Sequence, residues 1–373
     1  VLVLLGCGTP AARVAVVAGD PSGGDDSARA RAALYAELQD DVLTSYERDE
    51  PPDLDTAMID PRIGTARIGA GPADVYLAGD LARAPSRWPL DVDRQIRTEV
   101  RSKRLELSIA ADLTAAWTSD EVSWRIELCG RTAAIPLRIT SLFARDGDRW
   151  VPVFEHLSFG QPAVASAAPP ARPIRTEVSS GDLRDELSGV LGRGLLRHDP
   201  SVLAGDGFVL GPGLADEWRG SLVADARLPP GKLEDRRVGT VGRTPGDATV
   251  AYWVGTYVAD VPGAAGVAAG KLRLRVTHVF EKRWVPATAP AKPGPRSCAR
   301  DSVTKEIPAD CHWQLVQTHM SAPITDDELT ARVFGTALLS TKPLALDCAD
   351  GGRVTTPAAA LRPAASPPAA RTR

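Results

Sequence analysis

The sequence predicts an α+β protein built from two tandem copies of one unit, on three observations. A run "LRITSLF" followed by "WVPVFEHLS" at 150–158 returns far downstream as "LRVTHVF" followed by "WQLVQTHMS" at 313–321. Each half opens on apolar residues at helical spacing and continues into runs of strand character. Between the halves lies "GQPAVASAAPPARPIR", 160–175, whose Ala and Pro content suits a semi-extended linker.

The elements follow in chain order. "SARARAALYAELQDDVLTSYE" starts at Ser27, a good N-cap, and places Leu34, Leu38 and Val42 four apart on one helix face. Strand-like runs come next: "RLELSIAAD", "EVSWRIEL", "IPLRITSLFAR" and "RWVPVFEHLSF", the last two joined by the turn "RDGDR" at 145–149. The second half opens with "GDLRDELSGVLGRGLL", capped by Ser179 or Ser180 and carrying Leu183, Leu187, Leu191 and Leu195. It continues through "DRRVGTVGR", "ATVAYWVGTYV", "KLRLRVTHVFEK" and "HWQLVQTHMS". Where the first half has its short turn, the second has a long polar, Pro-rich excursion. Upstream, "RIGAGPADVYLAG" at 67–79 matches "VLGPGLADEWRG" at 209–220, a third correspondence in the same order. The expected organisation is therefore a leader and tether at 1–26, a first domain at 27–160, and a linker at 161–175. A second domain at 176–340 carries a hairpin insertion at 282–311, and a disordered tail runs over 350–373.

Composition sets the limits on function. The chain of 373 residues, 43% hydrophobic and 24% charged, has the make-up of globular protein. With Lys+Arg 44 against Asp+Glu 47 and a net charge of -3, no long-range field draws it to nucleic acid or anionic lipid. The densest basic run, "RTEVRSKR" at 97–104, reads as a solvated face.

The start, "VLVLLGCGTP", is similar to the end of a bacterial lipoprotein signal, with Leu4-Leu5-Gly6-Cys7 standing as the lipobox and Cys7 as the lipidated residue. The basic front of such a signal is missing and the apolar run is short, so it reads as a truncated start. The competing reading is an ordinary buried strand. A lipid anchor places the protein in the bacterial cell envelope, facing periplasm or exterior, and the membrane contact is the anchor alone. Cys129, Cys298, Cys311 and Cys348 remain, an even number in an exported chain. Cys298 and Cys311 bracket a loop of suitable size for a disulfide. Cys129 and Cys348 form a second bridge or stay as buried thiols. Nothing has zinc spacing, and no metal or cofactor is expected.

Each half, with its N-terminal helix, "GP…Y/W…G" turn, four strands and closing "W-x5-H-x-S", resembles the SnoaL-like domain of the nuclear transport factor 2 and ketosteroid isomerase superfamily. Arg138-Ile139-Thr140 with Trp150, His156 and Ser158 matches Arg275-Val276-Thr277 with Trp313, His319 and Ser321. The resemblance implies a curved, mostly antiparallel sheet wrapped on helices into a cone with a pocket at its open end. It also implies pairing through outer sheet faces, here as an intramolecular pseudo-dimer favoured by the short tether.

Strict alternation puts Trp150, Phe154, His156 and Ser158 on one face, and Trp313, Leu315, Gln317, His319 and Ser321 on its counterpart. An aromatic wall beside an imidazole is a candidate pocket for an apolar ligand, and histidine is a candidate general acid or base. The plainer reading is a pair of hydrogen-bonded core histidines. Catalysis of the ketosteroid isomerase kind implies a buried acid with a Tyr. Asp112, Asp120 and Asp247 read as solvated carboxylates at strand ends or turns, and Tyr76 is matched by Trp218, so no acid and base assemble. No nucleophile elbow, phosphate loop or H-E-x-x-H helix occurs. Three functions stay open: binding of a small apolar ligand or an envelope partner protein without turnover; an isomerase or cyclase with one active pocket; and a structural interaction module. The polar loop pinned by Cys298 and Cys311 is either a recognition surface or an extension without a role.

Overall fold

The computed structural model describes residues 25–47, 66–71, 74–77, 97–128, 131–159, 181–196, 199–213, 216–220, 223, 226, 231–242, 246–261, 270–284, 298, 307–308 and 310–324. Cys7, Cys129, the linker, Cys348, the tail and most of the 282–311 insertion lie outside them.

Helix α1 (Asp25–Glu47) precedes β1 (Ala66–Ile68), β2 (Val75–Leu77), β3 (Arg97–Ile109), β4 (Ala115–Leu128), β5 (Arg131–Asp146) and β6 (Arg149–Phe159). Helix α2 (Gly181–Leu191) runs into a π turn at Gly192–Leu196, so the glycines of "GVLGRGLL" end a helix. It is followed by β7 (Leu203–Leu210), β8 (Glu217–Arg219), β9 (Gly231–Thr240), β10 (Val250–Val261), β11 (Gly270–Trp284) and β12 (Cys311–Ser321). The strands form two six-stranded sheets of the same plan, β2-β1-β6-β5-β4-β3 and β8-β7-β12-β11-β10-β9. The architecture is α+β with mixed sheets, because β1 runs parallel to β6 and β7 parallel to β12. The run at 97–104, read as a solvated face, is the start of β3.

Helix α1 starts at Asp25, ahead of the expected cap at Ser27. It buries Tyr35, Leu38, Val42 and Tyr46, and Leu34 is only partly covered, so the apolar stripe is turned slightly from the Leu34-Leu38-Val42 line. These side chains close the first core with Leu107, Val122, Trp124, Ile139 and Leu157. Leu183, Leu187 and Val190 of α2 close the second against Trp253, Leu274, Phe280 and Trp313. A third cluster uses neither helix. It joins Trp117, Leu142, Val153 and Phe154 of the first sheet to Tyr252, Val254, Val279 and Val316 of the second, so the sheets meet face to face along an apolar seam. At about 1.5–3 kcal/mol for each large apolar side chain taken from water, this seam is a substantial part of what holds the halves together.

In both sheets the pairing of the last two long strands shifts register at the same place. Leu142 pairs with Phe154 but Phe143 pairs with Pro152, leaving Val153 as the extra residue. Val279 pairs with Gln317 but Phe280 pairs with Leu315, leaving Val316 extra. These bulges reverse the alternation of β6 and β12 partway along. The segment after β12 then crosses to the first half, where the Ile324 amide donates to the Ala70 carbonyl (3.0 Å) and its side chain joins the first core.

Candidate functional site

The repeated residues meet at the seam. His156 hydrogen bonds through Nδ1 to Thr277 (2.9 Å) and through Nε2 to Ser321 (2.8 Å), both from the other sheet. His319 makes the reciprocal pair, Nδ1 to Thr140 (3.1 Å) and Nε2 to Ser158 (2.7 Å). The two imidazoles stack with centroids 4.0 Å apart. Gln317 completes the set by donating Nε2–H to the Thr140 hydroxyl (2.8 Å).

Two buried arginines flank the stack. Arg138 donates from one guanidinium nitrogen to the carbonyls of Gly211 (2.8 Å) and Gly213 (2.9 Å). Arg275 donates to the Gly69 carbonyl (2.8 Å) in the opposite sense. The receiving loops are the matched "GAGPAD" and "GPGLAD" segments. In each, the Asp carboxylate accepts the second Gly amide, Asp74 from Gly71 (2.7 Å) and Asp216 from Gly213 (2.8 Å). The first glycine is required by space, since a Cβ at Gly69 or Gly211 would sit 2.7 or 2.5 Å from the Asp Cβ. At the rim, Arg104 pairs with Glu121 and Glu217, and Arg219 with Glu106.

This geometry bears on the acid-base candidates directly. Burial pushes His319 down to about 3, with the Arg138 charge adding to the effect. Burial, then His319, then Arg275 hold His156 well below the ordinary imidazole value. Neither imidazole changes charge near neutral pH. Every ring nitrogen has a hydroxyl partner, so both are hydrogen-bonded histidines at the contact between sheets.

The shared face expected for the aromatic and polar candidates does not form, for a backbone reason. Trp150 belongs to the first helix-side core, whereas Phe154 belongs to the seam cluster and His156 and Ser158 bond across it. The bulge at Val153 separates them. Trp313 and Leu315 likewise face the second core, while Gln317, His319 and Ser321 face the seam.

What does line an opening is a different set. Between the C-terminal half of α1 and the β5–β6 hairpin lies a cavity of about 190 Å³, walled by Phe143, Trp150, Pro152 and Phe154, with Ser45, Tyr46, Ser141 and Glu155 among its polar groups. Trp150 and Phe154 are brought together here, without the histidines. Behind it stands Asp120, 1% exposed in the middle of β4, which corrects its reading as a solvated strand-end carboxylate. Burial raises the carboxyl to about 7, although the Tyr46 hydroxyl (3.1 Å) and the Arg104 amide (3.3 Å) donate to it. Asp112 is held in a turn, accepting from the Thr114 and Thr249 hydroxyls (both 2.8 Å).

The equivalent interior of the second half is different. The pair Ser141–Glu155 across β5 and β6 corresponds by register to His278–Thr318 across β11 and β12. His278 is buried, hydrogen bonds to Thr318 (2.8 Å), and is driven down to about 3 by burial. By the same register Asp120 corresponds to Gly255. Trp313 donates its indole N–H to Glu186 of α2 (2.9 Å). Outside that half, an open groove of about 910 Å³ runs between α2 and Cys311, passing Arg193, Lys282 and His312. The expected Cys298–Cys311 disulfide is present. Among the described residues no group of His, Cys, Asp and Glu is arranged to hold a metal ion, and no helix is long and apolar enough to cross a membrane.

No family model and no curated protein matches the chain. Among solved structures, an NTF2-like protein of unknown function from Pseudomonas putida is similar, with 16% identity and a TM-score of 0.23, covering 43% of this chain and 94% of its own.

Proposed function

We propose that this chain is an exported, lipid-anchored envelope protein built as an internally paired NTF2-like tandem. Its first half binds a small, largely apolar molecule without turnover, and its second half is the permanent partner. One observation carries the reading: the helix-side interior is open and polar-lined in the first half, with Ser141 and Glu155 on its wall and Asp120 behind it, where the second half has His278, Thr318 and Gly255. The repeated histidines are spent on the seam, and Tyr46 stands between Asp120 and the cavity, which favours binding over proton transfer. Native mass spectrometry of protein purified from its own cells tests this. The expected result is one chain with a retained small molecule, and an empty chain under gentle desolvation counts against it. Small-angle scattering of one compact particle supports the pairing, and two separated bodies refute it. Moving a Cys7→Ser variant from the membrane to the soluble fraction tests the anchor.

A second reading has its own support. A buried carboxyl raised to about 7 beside a tyrosine hydroxyl is suited to acid-base work in an isomerase or cyclase. It requires that Asp120→Asn abolish turnover of the bound molecule while leaving its affinity intact.

A further inference from the structure

We infer that the first-half cavity holds a small neutral molecule by a hydrogen-bond acceptor that the Trp150 indole N–H receives; the inference rests on the binding reading above. The two halves differ at this indole. In the second half Trp313 lies under Lys282, 4.9 Å from its ring centre, and donates its N–H to Glu186 of α2 (2.9 Å). Trp150 holds the same place in the first half. It pairs by register with Arg145 as Trp313 pairs with Lys282, and the Arg145 guanidinium lies 5.0 Å from its ring centre. Glu37 precedes the buried Leu38 of α1 as Glu186 precedes the buried Leu187 of α2. Yet Glu37 accepts from Arg145 (2.7 Å) and not from the indole. The Trp150 N–H is left a buried donor with no partner among the described residues, on a side chain 5% exposed.

Position and space point to a ligand. The matched placement turns the indole N–H toward the helix, and between α1 and the β5–β6 hairpin lies the cavity of about 190 Å³ that Trp150 lines. A buried indole N–H normally finds an acceptor, and an acceptor brought by a ligand removes the penalty of leaving it unmade. The Ser141 hydroxyl lines the same space and can donate too. A dry cavity of about 150 Å³ is enough to hold benzene, so this one holds one ring with a short substituent among Phe143, Trp150, Pro152 and Phe154. Charge then decides between acceptors. A carboxylate taken out of water needs a cation beside it. Among the described lining residues there is no Lys, Arg or His, Asp41 and Glu155 are acidic, and Arg145 is held by Glu37. A neutral carbonyl oxygen meets the indole donor without that requirement.

The test uses the full chain and three probes of similar size, acetophenone, cumene and benzoate, by titration calorimetry. Acetophenone should bind saturably, and benzoate at least about tenfold more weakly. Trp150→Phe keeps a ring and removes the N–H, so the ratio of acetophenone to cumene affinity should fall about tenfold. Should that variant fail to fold, Arg145→Lys installs the second half's cation, returns Glu37 to the indole, and should lower the same ratio. Ser141→His, which installs the residue at the same register position in the second half, should abolish binding of both neutral probes with an unchanged circular dichroism spectrum. A ratio that does not fall, or benzoate binding as tightly as acetophenone, overturns the inference; if Ser141→His still removes the binding, the cavity reading survives. Binding that persists in Ser141→His places the site elsewhere and overturns both. If no probe binds, the inference fails; native mass spectrometry then separates the cases, a retained molecule sparing the binding reading and an empty chain ending it too.

Discussion

Replacing His319 by Gln isolates one proton at the seam. In the folded chain the His319 imidazole is held at about 3, against an ordinary value of 6.5. Between those two values the unfolded chain binds a proton that the folded chain refuses, so stability rises with pH through the window. The contribution is fully present above pH 6.5 and is lost as pH falls toward 3. Each pKa unit of separation corresponds to about 1.4 kcal/mol, so the wild type loses about 3 kcal/mol through this group between pH 6.5 and 4.5. Glutamine can still donate and accept toward Thr140 and Ser158, but it does not titrate. His319→Gln should be the less stable protein at pH 7.5, and its deficit should shrink by about 3 kcal/mol at pH 4.5. The comparison is made between two proteins because the wild-type curve mixes opposing groups: His156 and His278 add to the slope, whereas Asp120 and Glu281, both raised by burial, act against it. Urea unfolding at four pH values, followed by tryptophan fluorescence, reads the gap. A deficit that stays constant from pH 7.5 to 4.5 would falsify the assignment of His319 as a buried neutral imidazole.

Three further outcomes are expected. Arg138→Met leaves the Gly211 and Gly213 carbonyls without their guanidinium donor and should cost about 3 kcal/mol in denaturant unfolding. Arg138→Lys should recover only part of this, since the shorter lysine side chain stops short of the point between both carbonyls that the arginine nitrogen occupies; full recovery contradicts the geometry. For Asp120 the sign is opposite to that of histidine. Its folded value of about 7 lies above the ordinary 3.8, so its stabilisation is present at low pH and lost as pH rises between them. Asp120→Asn should therefore gain on the wild type by about 4 kcal/mol from pH 4 to pH 7, and a flat difference refutes the burial. Replacing Cys298 and Cys311 by Ser should lower stability by about 3 kcal/mol if the bridge acts through loop closure, with scanning calorimetry of both forms as the check.

The long strands and both helices were legible because each carries a periodic apolar pattern over enough residues to be distinctive. β1, β2 and β8 are three residues each, too short for any periodicity, and β7 carries two glycines, so the parallel edge of each sheet was hidden. The candidate site failed on a single residue per strand. Strict alternation holds on either side of Val153, but that residue adds one position, and everything beyond it changes side. A strand read as "EVSWRIEL" begins at Glu121 and leaves Asp120 outside β4, which starts at Ala115. Ala116, Thr118, Asp120, Val122 and Trp124 alternate with Trp117, Ser119 and Glu121 from Ala115 onward, and that longer pattern puts Asp120 on the helix side with Trp124. Tyr46 falls four residues after Val42 on the α1 stripe, so the partner was in view as well.

The position of the repeats follows from the pairing proposed above. A residue at the seam bonds to the counterpart of its own neighbour: His156 needs Thr277 and Ser321 as His319 needs Thr140 and Ser158. A change on one side leaves a buried polar group unpaired on the other, at a penalty of about 1–3 kcal/mol, so both halves are held to the same residues. The helix-side interiors have no such reciprocity. Each packs against its own helix, and a change such as Ser141 against His278 is absorbed locally. The strongest matches between the halves therefore mark the contact, and chemistry belongs to positions where the halves disagree. The residues placed to meet a ligand are then Ser141 and Glu155, with Asp120 behind them, and not the histidines. The His156→Gln and His319→Gln pair should therefore weaken the association of the halves without altering the affinity of the first-half cavity for the molecule it retains in native mass spectrometry. A large loss of affinity at unchanged fold would mean that seam and cavity are one site.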